Sequence, residues 1–203
     1  MTRAMQNYGR ANLIQSHLGL TPEIGMKVAA IISFAGAIEH FLERALWRLR
    51  GIDPNGTKPD TDAKMISDLI SMFEKFGEDL ADSDHRAFIV SWCAAAKSGF
   101  LIRNNIAHGV PMKIGETLAY MRNPRWEGEV RKRNFGDFWA DLPTLDLVRE
   151  AMAVLYRSIT LLSKEDASLA DVITDEAKQA VNTARSVLGE FASQSYNPSF
   201  EKY

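Results

Sequence analysis

Most of the chain distributes apolar and polar residues with the period of a helix. Ile24, Val28, Ile31, Ala35, Ile38, Leu42, Ala45 and Leu49 recur three or four apart, so they form one stripe on a helix from Pro22 to about Arg50. Thr21-Pro22-Glu23 opens it with a capping hydroxyl, a proline suited to the first turn and an acid at the positive helix end, and Gly51 stops it. The loop GIDPNGTKPD follows. A second helix is predicted over about Thr61 to Leu80, with Met65, Leu69, Met72, Phe73 and Phe76 on its apolar face. Asp82 or Ser83 caps a third, from His85 to about Ala107, whose stripe is Phe88, Ile89, Trp92, Cys93, Ala96, Phe100 and Ile106. Small residues at 94–96 admit a close neighbour. Pro143-Thr144 opens a fourth helix to about Ser163, with Leu147, Met152, Leu155, Ile159 and Leu162 inside, and a shorter one covers Asp175 to Phe191.

Between 110 and 142 the pattern changes. Glycines, two prolines, the alternating piece Thr117 to Met121 and a charged run from Glu127 to Arg133 indicate an irregular or β-hairpin insert. The last dozen residues read as frayed. The expected fold is all-α, an up-down bundle of four to five helices with this insert before the closing helix. Residues 1–165 form the bundle, with the insert at 110–142, and 166–203 form a linker, a C-terminal helix and a flexible tail.

Bulk properties narrow the classes. The length, 203 residues, suits one sizeable domain. Apolar residues at 46% and charged residues at 25% are ordinary for a soluble protein. A net charge of −2 supplies no global basic field, so any polyanion must be held locally. The single cysteine, Cys93, excludes a disulfide framework and a Cys-based zinc site. The N-terminal stretch has no secretion-signal core. Glu23, Lys27, Glu39, His40, Glu43 and Arg44 argue against a membrane span in the first long helix. A cytoplasmic protein with no membrane contact is expected.

Three near-motifs carry little. Gly51 to Lys58 resembles a phosphate loop, but its order is Gly-Thr-Lys and it follows a helix. Asn55-Gly56-Thr57 matches a glycosylation acceptor, which matters only on secretion. Glu39, His40 and Glu43 lack the second histidine of a helical zinc motif. No metal or cofactor is expected.

The segment 103-RNNIAHG-109 is different. It follows a long apolar run and places Arg103, Asn104, Asn105 and His108 at the end of a helix. Asn104 and His108 share a face. Two readings stand. In one, the cations favour the helix C-terminus, Asn satisfies loose backbone groups, and Gly109 lets the chain leave in a left-handed conformation. In the other, the cluster is a phosphodiester site. Cleaving RNA without a metal requires taking a proton from the ribose 2′-OH, protonating the leaving 5′-oxygen and stabilising a crowded anion. Histidine suits both proton steps, and the arginine fork matches phosphate oxygens. One His per chain is sparse, and a two-fold dimer would supply the second.

The stretch from Leu101 to Gly109 resembles the signature of the HEPN (higher eukaryotes and prokaryotes nucleotide-binding) family: an Arg, a polar residue often Asn, then a His four to six residues beyond the Arg. Arg103, Asn104 and His108 match it. The helix order resembles the family over roughly Thr21 to Ser163. The resemblance implies a homodimer with the motif at its interface, and an endoribonuclease of the toxin or defence-effector kind that leaves a 2′,3′-cyclic phosphate and a 5′-hydroxyl. Arg103 and His108 would carry catalysis, supported by Asn104, and an antitoxin or regulatory protein would be a partner. The tyrosine that paired toxins carry two positions after the His is Val110 here, which speaks against control by nucleotide transfer to that residue. Some members are inactive, so the alternative expectation is a non-catalytic dimer that binds a protein or nucleotide partner.

The insert holds the concentrated positive charge: Lys113, Arg122, Arg125, Arg131, Lys132 and Arg133, interleaved with Tyr120 and Trp126. Basic groups with aromatics suit single-stranded RNA, and Asn105, Lys113, Arg122 and Arg125 are the candidate substrate contacts. A solvated hairpin edge is the competing reading.

Overall fold

The computed structural model describes residues 3–194 and Tyr196. Along these residues the chain forms α1 (Arg3–Gly9), α2 (Ala11–His17), α3 (Pro22–Leu49), α4 (Ile66–Glu78) and α5 (Ser83–His108), then β1 (Val110–Ile114), β2 (Thr117–Arg122) and β3 (Gly136–Trp139), then α6 (Leu142–Leu162), α7 (Leu169–Val172) and α8 (Asp175–Phe191). The fold is predominantly helical with a small antiparallel sheet in strand order β1-β2-β3, so the all-α expectation is corrected. The insert is neither irregular nor a lone hairpin.

The long helices start where the sequence puts capping oxygens. Thr21 accepts from the Ile24 N–H at 3.2 Å, Asp82 from Asp84 and His85 at 2.9 and 2.8 Å, and Asp141 from Thr144 at 2.9 Å. Each satisfies backbone donors the first turn leaves free. The second helix begins at Ile66 rather than near Thr61. Thr61 is buried and accepts the Trp47 indole N–H at 2.7 Å, and Ala63 has φ +56, so this stretch is held in turns by α3. Met65 is consequently exposed.

Helix α5 is the centre of the molecule. It packs against α3, α4, α6 and α8, and its C-terminal end meets β2 and β3. All seven residues of its expected stripe are buried. Close packing depends on missing side chains. A Cβ at Gly77 would lie 2.6 Å from Ile89 Cγ2, and one at Gly99 the same distance from Met152 Sδ. On α6, Leu145 and Val148 face the core, whereas Leu147, expected inside, is 48% exposed. Helix α8 spans the expected residues and buries Val181, Ala184, Leu188 and Phe191 against α5 and α6. The expected frayed tail falls largely outside the described residues.

Two features have no counterpart in the sequence reading. Helices α1 and α2 contain no buried residue, and Met5, Tyr8, Leu13 and Ile14 are exposed along them. Strand β2 is covered on both faces: Leu118 and Tyr120 join the main core, while Ala119 and Met121 form a second cluster with Trp139. By length and composition α3 is the one helix among the described residues that could cross a membrane. In this structure its side chains Ile31, Ala35, Ile38, Leu42, Ala45 and Leu46 are bundle core, and Lys27 pairs with Asp146 of α6 at 2.6 Å.

The packing at Gly77 gives an expected outcome. Ile89 is fully buried and stiff at χ1, so Gly77→Ala costs about 1–3 kcal/mol in overpacking. That exceeds the about 1 kcal/mol by which alanine surpasses glycine inside a helix. Gly189 of α8 has open space around it, so Gly189→Ala shows only that gain. Thermal unfolding of the two variants should move in opposite directions; a Gly77→Ala protein as stable as the parent contradicts the close approach of α4 and α5.

Candidate functional site

The last turn of α5 carries the four polar residues singled out in the sequence, and the structure gives them different surroundings. Arg103 and Asn104 are half-buried, Asn105 is buried and His108 is exposed. The Arg103 guanidinium donates from Nη1 to Asn104 Oδ1 at 3.0 Å. Its Nε is buried with no hydrogen-bond partner, and no carboxylate pairs with it among the described residues. Arginine keeps its charge at any ordinary pH. The motif therefore presents a held, uncompensated cation five residues before an exposed imidazole. A carboxylate neighbour would have neutralised it; an amide neighbour orients it and leaves the charge free.

Asn105 faces the other way. It is 2% exposed, and its amide donates to the Asp137 carbonyl of β3 at 2.6 Å. Its Oδ1 is buried and unpartnered. A Cβ on Gly136 would stand 2.6 Å from that oxygen and 3.2 Å from Arg122 Nη2, so glycine is what lets the helix end, β3 and the Arg122 guanidinium meet. Gly109 does a related job. It is extended, with φ −87 and ψ 154, and not left-handed as expected. A Cβ there would collide with the Asn105 carbonyl oxygen and crowd Tyr120 Cβ at 3.1 Å. The chain turns straight from α5 into β1, and the sheet closes over the helix end.

The candidate substrate contacts are thus divided. Asn105 is committed to the sheet. Arg122 is half-buried with an unpartnered Nε. Lys113 pairs with Glu116 at 2.8 Å. Arg125 is exposed and unpaired among the described residues. Tyr120 is buried, which pushes its phenol up to about 12, so it is not available for stacking; Trp126 is 60% exposed.

The near-motifs occupy themselves. His40 Nε2 accepts from Arg44 at 2.8 Å. The loop at 51–58 folds on Asp53, which accepts from the Asn55 N–H at 2.9 Å and the Thr57 hydroxyl at 2.8 Å. Burial raises the Cys93 thiol well above its ordinary value, the opposite of an activated nucleophile. No group of three or more His, Cys, Asp and Glu is arranged for a metal among the described residues. A cleft of about 950 Å³ runs between α2 and the start of α3 and reaches Ile106 and Ala107 of the motif.

Gly136 and Asp137 went unnoticed in the sequence. The available signal was Asn105, a polar residue on an apolar face that had to find a partner when buried. Burial pushes the Asp137 carboxyl above its ordinary value, opposed by the nearby Trp139 indole, whose N–H falls short of a well-aligned bond. A carboxyl raised in the fold disfavours folding once it ionises, so its cost is absent in acid and grows as pH rises through its titration. Asp137→Asn should therefore unfold at a higher temperature than the parent at neutral pH, with the gap closing as pH falls through the carboxylate range. A gap that persists unchanged in acid would show that ionisation of Asp137 is not its source.

No protein-family model matches this chain, and no curated protein or solved structure compared with it matches either.

Proposed function

We propose that the chain is a metal-independent endoribonuclease of the HEPN type, acting as a cytoplasmic homodimer in the manner of a toxin or defence effector. The observation that carries this reading is the uncompensated Arg103 guanidinium, held by Asn104, five residues before an exposed His108 that makes no hydrogen bond among the described residues. Such a pair attracts a phosphate and leaves an imidazole free to move protons. The resemblance of 101–109 to the family signature supplies the reaction. One His108 takes the ribose 2′-OH proton as the 2′-oxygen attacks phosphorus. The second copy's His108, protonated, gives a proton to the departing 5′-oxygen. Arg103 stabilises the phosphorane, and the products are a 2′,3′-cyclic phosphate and a 5′-hydroxyl. Dimerisation through this face is supported by Val90 and Leu101, apolar and exposed on the same side of α5 as Asn104 and His108.

A second reading has its own support. The exposed apolar side chains of α1 and α2 suit a docking arm, as in a non-catalytic dimer that binds a regulatory protein.

The test is cleavage of end-labelled RNA in EDTA. Loss of one acid–base group is worth about 100- to 10,000-fold, so His108→Ala should cut at most about one hundredth as fast as the parent. Its fold should be undisturbed, because His108 is exposed. Arg103→Ala should lose activity to a similar degree. Equal cleavage by the parent and His108→Ala would reject the catalytic role, and the interaction-module reading would take its place.

A further inference from the structure

The loop between β2 and β3, residues 123–135, has features that the motif alone does not use. It leaves the sheet at the paired residues Arg122 and Gly136, the point that touches Asn105 of the motif. Its base is closed by Asn123 Nδ2 donating to the Asn134 carbonyl at 2.9 Å. Inside it, Glu129 accepts the Glu127 N–H at 3.0 Å and pairs with Arg131 at 2.9 Å. Its own backbone N–H, Arg131 and the Glu127 N–H hold that carboxyl down at about 2. The loop thus consumes one of its two acids and one of its four cations internally. Arg125, Lys132 and Arg133 remain exposed and without an ion pair among the described residues.

The same loop holds apolar surface in water. Trp126 is 60% exposed and Val130 fully so. An indole left mostly in solvent gains little for folding. Beside three unpaired cations, it matches what a single strand offers: phosphates along one edge and unstacked base faces along the other. A duplex hides those faces in its stack, and a protein partner would more usually be met by a desolvated apolar patch than by three free cations.

We propose that the 123–135 loop is a single-strand platform, with Trp126 stacking on a base and Arg125, Lys132 and Arg133 gripping the flanking phosphates, so that the strand is led towards the end of α5. This deepens the ribonuclease reading and rests on it only for the choice of RNA. Lys113 and Tyr120 have no part in it. The platform is local, as the net charge of −2 requires.

The test measures binding of the full chain to a fluorescein-labelled, U-rich dodecamer with 2′-O-methyl riboses. That strand has no nucleophilic 2′-OH, so binding and cleavage fail separately. The parent should prefer the single strand to its duplex. Trp126→Ala should weaken binding at least about five-fold, the low end for one stacked base, while Trp126→Phe keeps most of it. Removing Arg125, Lys132 and Arg133 together should flatten the slope of log affinity against log salt by about 2, since each neutralised phosphate contributes about 0.7. A single-stranded DNA dodecamer bound equally well would place the recognition in base faces and phosphates, as proposed; a preference for either sugar names the natural strand. Duplex bound as tightly as single strand, or an unchanged affinity in Trp126→Ala, overturns the platform. So does binding no tighter than roughly 10⁻⁴ M, which would turn the loop over to a protein partner.

Discussion

The fold around the candidate site depends on one buried hydrogen bond, from the Asn105 amide to the Asp137 carbonyl. Further up, helix α5 is held by apolar packing, by the Trp92 indole donating to the Leu155 carbonyl at 3.1 Å and by the Lys97–Glu74 and Asp84–Lys178 pairs, which fix its axis but specify its end weakly. A directional bond between its last turn and β3 fixes both the rotation of that turn and the place where the sheet lies. Breaking such a bond leaves a buried polar group without a partner, which costs about 1–3 kcal/mol. Everything near the motif is measured from this joint. Asn105 faces the sheet, while Asn104 is half-buried and His108, at the helix end, is exposed. The Arg122–Gly136 pair sits against Asn105, so the long loop must emerge beside the motif.

The joint explains why the four polar residues of one short segment have unlike environments. Asn104 and Asn105 are identical in sequence, and nothing local separates them. One orients an arginine; the other pins a helix to a strand. Which does which depends on the direction of β3, more than thirty positions away in the chain. Sequence reasoning could identify the cluster by residue type and spacing, because an imidazole, a guanidinium and amides after an apolar run break the pattern of the helix. It could not divide them.

The same distinction runs through the fold. The ends of α3, α5, α6 and α8 were legible because each carries a capping oxygen or a stop glycine and a stripe of period 3.6. Signals set by tertiary contact were not. Strand β2 buries four consecutive residues, Leu118 to Met121, so the alternation that marks a half-exposed strand is absent from its burial and Tyr120 looked available. Helices α1 and α2 bury nothing and therefore leave no stripe to read. Leu147 and Leu145 differ by two positions at a helix start, where which of them faces the core is decided by how α6 lies on its neighbours.

Among the described residues, the buried guanidinium nitrogens without a partner lie at the candidate site. Elsewhere some cations are paired, Lys27 with Asp146, Lys97 with Glu74, Lys178 with Asp84 and Asp175 and Arg50 with Asp60, while others are exposed and solvated. Arg103 and Arg122 each carry a buried Nε without a partner, and the loop beyond them pairs one of its two acids, Glu129, internally with Arg131. A half-buried guanidinium with an unsatisfied donor is less stable than one with a carboxylate beside it. Two such groups lie on elements that meet at one joint. Stability alone gives no account of them.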